Sequence, residues 1–516
     1  MFAPIKTLAC GFTSLLVAAW LTLPAAAAEA PPADIFTAKS IAQWADATFG
    51  KVVADHRVSG LGFTVTDADK VLFIKGYGYQ DVATQKPFDP AVTKTRTAST
   101  TKQFIGVSVA QLLERGKITS LDDPVNKYLK RFQLPSNAGK QITIWDLLTH
   151  RGGFAGNGGN VDFTPETIKT PMSGDIIKAV LPGYARPADT VSVYCNICTG
   201  ILGFMIEDVS GQGLPDYLRE NIYKPLGMAH TDLTVGDQPP ADMIVQYQFV
   251  ENGPAVMRPY PTLSPLIAAA GSTTSTTADY TKWLMANLQE GNGPLGKSLL
   301  SDKSWKLVHT QHRQNQPGGS GFGMKYFTYD YNGEPVMEQY GSLQHYSMIF
   351  WLMNKKIGIF VTMAGGGKPG ERATIPTGAG LAKTSGPVEP AMSHSGARAL
   401  ILEHFLGKLP FDRTMKVDLA KYTGEYLNIA RNPNPNANFN QPPLKITDSG
   451  DGGLIIGERG VYRPSGRDTF TLDRPLELEA GFGVNNRYIF AVDRAGKVTG
   501  LFGHVNAGGY EKVAGK

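Results

Sequence analysis

Thr97-Ala98-Ser99-Thr100-Thr101-Lys102 runs straight into Gln103-Phe104-Ile105-Gly106-Val107-Ser108-Val109-Ala110-Gln111-Leu112-Leu113. The apolar, small-residue-rich run after Lys102 predicts a helix buried on most sides. Thr97, Ser99, Thr100 and Thr101 ahead of it read as the helix start, where hydroxyls satisfy free backbone N–H groups. Ser99 and Lys102 then stand one turn apart on one helix face. A serine hydroxyl is a poor nucleophile until a neighbour takes its proton. Lysine can do so only when burial or positive neighbours lower its pKa. A helix start adds partial positive charge and backbone N–H groups able to hold an oxyanion. S-x-x-K alone occurs by chance in most long chains, so the pair has to be judged by its company.

The chain has 516 residues, enough for more than one domain and a large core. A net charge of +5 with no basic tract argues against a nucleic-acid partner. Residues 1–28 read as a signal peptide: Lys6 gives the positive start, Leu8 to Leu23 the apolar stretch, and Ala26-Ala27-Ala28 the cleavage site. A transmembrane anchor is the competing reading; the shortness of the run and Pro24 favour cleavage. That predicts a periplasmic or secreted protein with no integral membrane segment after cleavage. Its cysteines are then Cys195 and Cys198.

Helical periodicity marks Ile41 to Val53, and Leu61 to Thr66 with Val71 to Tyr77 read as adjacent strands turned at Asp67-Ala68-Asp69-Lys70. Lys117 to Leu129 and Ile144 to Thr149 suggest short helices, and Thr199 to Val209 another apolar one. Pro254 to Ser275 reads as surface loop, with a helix from Ala278 to Leu288 after it. Met348 to Met353 and Ile357 to Met363 form a predicted hairpin turned at Asn354-Lys355-Lys356; Gly365 to Gly396 reads as irregular and Ala397 to Leu406 as a closing helix. After a linker at Pro410 to Arg413, short alternating segments predict a separate β-domain, barrel or sandwich. They are Tyr426 to Ile429, Leu444 to Thr447, Leu454 to Ile456, Thr469 to Leu472, Arg487 to Val492 and Val498 to Phe502.

Tyr194-Cys195-Asn196 precedes the Thr199 helix. The tyrosine could share a serine proton and the amide could hold a lysine and a substrate carbonyl together; a turn tyrosine with a capping asparagine is the plainer reading. Cys195 and Cys198 are read either as a local disulfide stiffening the Tyr194 loop or as two buried thiols. Neither a redox unit nor a second ligand pair for zinc stands nearby. His309 and His312 lack an acidic partner at metal-site spacing and read as surface residues; His150 reads as packing or capping a turn. No G-x-S-x-G elbow appears; Gly106-Val107-Ser108-Val109-Ala110 comes close but sits inside the predicted helix. No phosphate loop or dinucleotide fingerprint is present.

In order along the chain stand Gly76-Tyr77-Gly78-Tyr79-Gln80-Asp81, Thr97 to Phe104, Leu121-Asp122-Asp123-Pro124-Val125 and Ile144-Trp145-Asp146-Leu147-Leu148-Thr149-His150. Pro182-Gly183, Tyr194-Cys195-Asn196, Pro225-Leu226-Gly227-Met228 and Ala270-Gly271 to Asp279 follow. This series resembles the β-lactamase-related serine hydrolases: class C β-lactamases, D,D-carboxypeptidases, D-aminopeptidases and related esterases. The resemblance covers roughly residues 40 to 406, and Y-x-N in place of S-D-N points to the class C-like branch. It implies an α/β fold, an antiparallel sheet flanked by helices plus an all-helical lobe, with the site between them. It also implies that Ser99 is the acylated nucleophile, Lys102 its base and Tyr194 a second proton carrier, while Asn196 orients Lys102 and the substrate amide.

The family's third element, K-T-G or H-x-G on the edge strand, is where this chain departs. Glu338-Gln339-Tyr340-Gly341-Ser342-Leu343-Gln344-His345 matches that segment, with Gln339 in the basic position and His345 as its possible substitute. Lys383-Thr384-Ser385-Gly386 resembles K-T-G but lies in irregular sequence. A glutamine carries no charge to attract a substrate carboxylate, which favours a neutral ester, amide or lactone. The expected organisation is signal peptide 1–28, hydrolase domain 34–409 and C-terminal antiparallel β-domain 415–516. The expected function is an exported serine hydrolase acting through an acyl-enzyme on a small-molecule or peptide ester or amide. Ser99 and the Gly341 strand would supply the oxyanion N–H groups, with no metal or organic cofactor. A β-lactamase or D-alanyl-D-alanine carboxypeptidase is the enzymatic alternative, and a non-catalytic sensor or scaffold the alternative of another class.

Overall fold

A computed structural model describes residues 34–55, 57–155, 173–235, 239–248, 256–257, 265–343, 345–364, 374–377, 380–383, 394–430, 442–474, 485–504 and 509–513. The signal-peptide reading and Thr384 to Gly386 lie outside them.

The centre is a nine-stranded antiparallel sheet. It contains β1 (Gly60–Thr66), β2 (Val71–Asp81), β3 (Lys86–Pro87), β4 (Arg313–Gln314) and β5 (Gly321–Phe322). It is completed by β6 (Phe327–Tyr331), β7 (Glu334–Leu343), β8 (His345–Leu352) and β9 (Ile357–Ala364), in the order β3-β2-β1-β9-β8-β7-β6-β5-β4. The two halves of the chain therefore meet where β1 pairs with β9, Gly60 opposite Ala364. The β1–β2 turn forms because the Asp67 carboxylate accepts the N–H groups of Asp69 and Lys70, both at 2.8 Å. Every residue of β1 and β9 is buried, because helices cover both faces of this part of the sheet.

On one face lie α1 (Ala38–Ala54) and the helix His394–Leu406, which pack Ile41, Phe49, Ile401 and Phe405 against Phe63, Ile359 and Val361. On the other lies the helical lobe: α2 (Thr101–Glu114), α3 (Ile144–Leu148), α4 (Asn196–Ser210), α5 (Pro265–Gly271) and α6 (Thr277–Gln289). The α2 helix is buried from Thr101 to Leu112. Its close approach to the sheet depends on Gly106, since a Cβ there would stand 2.1 Å from the Met324 carbonyl. Ser108 donates to the Phe104 carbonyl at 2.8 Å, so it is a core helix serine.

Four local readings change, the first being that the stretch read as irregular from Gly365 holds a hairpin, Thr374–Thr377 paired with Gly380–Lys383. Lys117 to Leu129 holds only a short 3-10 turn at Val125–Lys127. Pro254 to Ser275 contains α5 and the strand Thr273–Thr276, which pairs with Lys94–Arg96. Alanine-rich sequence flanked by proline and threonine gave no amphipathic period there, because α5 is buried all round. His309 is no surface residue: its ring packs 5.1 Å from Trp305 and its nitrogens contact Asn287 and Glu290, each at 3.1 Å.

The C-terminal segment is a closed eight-stranded barrel built from Gly424–Asn428 through Gly509–Lys512. Closure comes from the first strand pairing with the last, Tyr426 opposite Lys512. Tyr422, Tyr426, Tyr462, Phe470, Tyr488, Phe490 and Leu501 fill it. The predicted strands all exist, and Val461–Gly466 and Gly509–Lys512 complete the barrel. Pro464 and paired glycines broke the alternation by which these two could have been read. Among the described residues no helix is long and apolar enough to cross a membrane.

Candidate active site

The chain enters the site through a 3-10 turn, Ala98–Thr100, that leads directly into α2. The threonines ahead of Lys102 do not cap it. Buried against the core, the Thr100 and Thr101 hydroxyls donate back to the carbonyls of Thr97 (2.9 Å) and Ala98 (2.7 Å). Ala98 sits at φ 48°, a left-handed conformation uncommon outside glycine, just before Ser99. The surroundings hold it there: Ser347 donates to the Thr97 carbonyl at 2.5 Å, and the Thr97 N–H bonds the Thr273 carbonyl at 2.9 Å.

Ser99 is half-buried and Lys102 fully buried, so the hydroxyl faces outward and the amine lies beneath it. Ser99 Oγ and Lys102 Nζ share a hydrogen bond of 2.8 Å. Burial, with no carboxylate partner among the described residues, holds the Lys102 amine well below the ordinary lysine range. A neutral amine that donates to a carbonyl keeps a lone pair for the serine proton. That carbonyl is Ala270, at 2.7 Å. It belongs to the last turn of α5, where carbonyls have no partner within their own helix. A backbone acceptor leaves no side-chain signature in the sequence.

Tyr194 closes the site from a third direction. Its hydroxyl faces Ser99, and burial raises its pKa, so it is a neutral phenol. Its ring lies 4.9 Å from Lys102 Nζ. Both of its neighbours are fastened to His150: the Val193 N–H bonds the His150 carbonyl, and the Cys195 N–H bonds His150 Nδ1, each at 2.9 Å. Cys195 and Cys198 are joined in a disulfide at the start of α4. The His150 ring stacks on Tyr194 at 4.9 Å, and Phe327 stacks beyond at 6.1 Å. His150 is therefore part of the site's support, which its place after α3 did not reveal.

Asn196, the first residue of α4, is not the group that orients Lys102. Its Oδ1 is buried without a hydrogen-bond partner, and the Ala270 carbonyl takes that part. Gly341 on β7 is where the sequence comparison put it: a Cβ there would lie 2.7 Å from Ser99 N and 2.3 Å from the Thr97 carbonyl. Gln339 shares that face of β7 but does not reach outward. It is fully buried, with Nε2 donating to the Lys325 carbonyl at 3.1 Å and Oε1 accepting the Tyr340 N–H at 3.0 Å. His345 does not replace it. Its Nδ1 accepts the Arg96 N–H at 2.8 Å, and burial, with the Arg96 charge adding, pushes its pKa down to about 3. It is a neutral core histidine. Arg398 stands 5.0 Å from the Tyr340 ring but is paired with buried Glu338 at 2.9 Å.

Comparison with known proteins places this arrangement. "Protein flp" of Staphylococcus aureus (strain MRSA252) is 28% identical over 310 residues, which is 58% of this chain and 58% of that protein. "Putative penicillin-binding protein PbpX" of Bacillus subtilis (strain 168) is 30% identical over 295 residues, 56% of this chain and 67% of that protein. The chain thus spans a little over half the length of the first of these relatives. Among solved structures, the octameric penicillin-binding protein homologue from Pyrococcus abyssi superposes with a TM-score of 0.54 at 21% identity, covering 91% of this chain and 99% of that one. A class C beta lactamase superposes with a TM-score of 0.52 at 19% identity, covering 64% and 94%. These structural likenesses establish the fold. The sequence model of the Beta-lactamase family matches residues 45–383, and the chain belongs to that family.

Proposed function

We propose that the protein is an exported serine hydrolase that acts through an acyl-enzyme on an ester, amide or peptide carbonyl bearing no essential carboxylate. The observation that carries this reading is the 2.8 Å contact between Ser99 Oγ and a buried, uncompensated Lys102 amine. Lys102 takes the Ser99 proton as Oγ attacks the carbonyl carbon. The resulting oxyanion lies against the Ser99 N–H and an N–H of β7 at Gly341. Tyr194, facing Ser99, relays that proton from Lys102 to the leaving group, so that both return to their neutral forms, and water then releases the acyl group by the reverse path. The preference for an uncharged substrate rests on the wall at β7. Gln339 and His345 are buried and neutral, and Arg398 is neutralised by Glu338.

A second reading, β-lactamase or D-alanyl-D-alanine carboxypeptidase, is favoured by the penicillin-binding name of the Bacillus subtilis relative. Mass spectrometry after separate exposure to a fluorophosphonate and to penicillin tests both. An adduct on Ser99 with the fluorophosphonate alone is the expected result; adducts with both reagents would assign the penicillin-recognising activity. Failure of both reagents to form an adduct on Ser99 would overturn the hydrolase reading in favour of a non-catalytic sensor. Ser99→Ala is expected to abolish turnover with the circular dichroism spectrum unchanged.

A further inference from the structure

Behind Tyr194 lies a second buried amine to which the reaction above assigns no part. Lys325, between β5 and β6, is fully buried at φ 72°. Its Nζ donates to the Leu147 carbonyl at 2.7 Å and stands 3.4 Å from His150 Nε2. The backbone around it is fixed from two sides: Gln339 bonds its carbonyl, and Gly106 of α2 packs against Met324.

The protonation states follow from the donors. The Cys195 N–H can only donate, so His150 Nδ1 must present its lone pair. A neutral imidazole then carries its proton on Nε2, which points toward Lys325 Nζ. An ammonium has no lone pair and would meet that N–H with N–H. A neutral amine can accept it while still donating to the Leu147 carbonyl.

We propose that Lys325 is a positioning residue, held as a neutral amine that accepts the His150 Nε2–H and thereby fixes the imidazole on which Tyr194 is stacked at Ser99. The groups facing Lys325 are consistent with this state. They are His150 after α3, Lys102 on α2 and the Leu147 carbonyl, and no carboxylate pairs with it among the described residues. Burial drives the Lys325 amine well below its ordinary range, and His150 is driven the same way. An uncharged Lys325 also avoids opposing the ammonium that forms on Lys102 when Ser99 is acylated.

The positioning role rests on Ser99 being the nucleophile, but the charge state can be tested without it. All six tryptophans lie at or before Trp351, so tryptophan fluorescence in the full chain follows unfolding of this part and not of the barrel. Unfolded Lys325 is protonated below its ordinary pKa, whereas the folded residue is neutral. The folding constant of wild type relative to Lys325→Met should therefore rise about tenfold per pH unit between pH 7 and 9. Lys325→Met, free of that linkage, should be the more stable protein at pH 7. A ratio that stays flat across this window overturns the neutral amine. In turnover, Lys325→Met should lower kcat roughly tenfold with KM little changed. The acid limb of its kcat/KM profile, set by Lys102, should stay within about half a unit of wild type. An unchanged kcat overturns the positioning role. An upward shift of the limb by about a unit or more would show that a positive charge had been removed, and overturns the neutral state. If no substrate or probe reacts at Ser99, the stability ratio still decides the charge.

Discussion

Taking an ammonium out of water without a counter-charge is unfavourable enough that a buried lysine gives up its proton instead. Lys102 is in that position: covered completely, bonded to Ala270 O and Ser99 Oγ, and paired with no carboxylate among the described residues. If, as proposed above, it is the base, activity should fall as pH drops through its lowered pKa. Lys102→Met should reduce kcat/KM by about 10²–10⁴-fold, the usual contribution of a positioned general base. The variant should keep its fold, and be more stable than wild type at pH 7, because it removes the deprotonation that burial imposes. Rates of fluorophosphonate labelling at Ser99 measure the first effect and denaturant midpoints the second; labelling at the wild-type rate would remove Lys102 from the reaction. That Ser99, Lys102 and Tyr194 come together was legible because S-x-x-K and Y-x-N are side-chain patterns. The Ala270 carbonyl was not, since any residue offers one. Lys325 and His150 meet across 175 residues of sequence, and no local pattern announces such a contact. Gln339 and His345 were placed in the right segment but given the wrong direction, because pattern alone does not say what a buried polar side chain will find to bond.

At the level of elements, α4 and the loop before it carry Tyr194, and their stiffness comes from two devices. One is the pair of bonds to His150; the other is the Cys195–Cys198 disulfide, with Cys195 at the N-cap of α4. A bridge closing so short a loop removes little chain entropy, and the loop-closure relation gives about 2 kcal/mol. Full reduction, or Cys195→Ala with Cys198→Ala, should therefore lower stability by about that amount. Activity should fall with it, because the residue next to Cys195 is Tyr194. Paired measurements of the denaturant midpoint and kcat with and without reductant test this, and an unchanged kcat would leave His150 as the sufficient restraint. The elements themselves were legible in proportion to their periodicity. The amphipathic α1 and the alternating β1 and β2 were found within a few residues. The all-buried α5 was read as loop, since burial on every side erases the period that sequence reading relies on.

Across the whole molecule, the barrel meets the rest of the chain through polar contacts and a buried histidine. Arg487 donates to the Pro410 carbonyl at 3.0 Å, Asn486 reaches Tyr331 Oη at 3.5 Å, and Arg186 pairs with Glu511 at 3.7 Å. His504 lies beneath them, 5% exposed, its ring 6.0 Å from Tyr329 of β6. Burial, with the Arg487 charge adding, pushes the His504 pKa down to about 3. Unfolded, or exposed by separation of the barrel, the same imidazole titrates near 6.5. The opened state therefore binds the proton more tightly, and stability rises with pH between about 3 and 6.5. Above 6.5 the contribution is complete; below it, each unit of acidification removes up to ~1.4 kcal/mol until the folded pKa is reached. His345 imposes the same dependence on the sheet, so wild type should weaken steeply from pH 6 to pH 4. His504→Met is the discriminating variant, since methionine fills a similar volume and cannot titrate. Its urea midpoint, followed by circular dichroism on the full chain, should decline less with acidification, the slope of stability being shallower by about 1.4 kcal/mol per unit. Hydrogen exchange at the Val498–Gly503 strand should show the same protection at pH 4. A variant that loses stability on acidification as fast as wild type would mean that His504 keeps its proton affinity in the folded protein, and that the barrel is not held by an uncharged histidine.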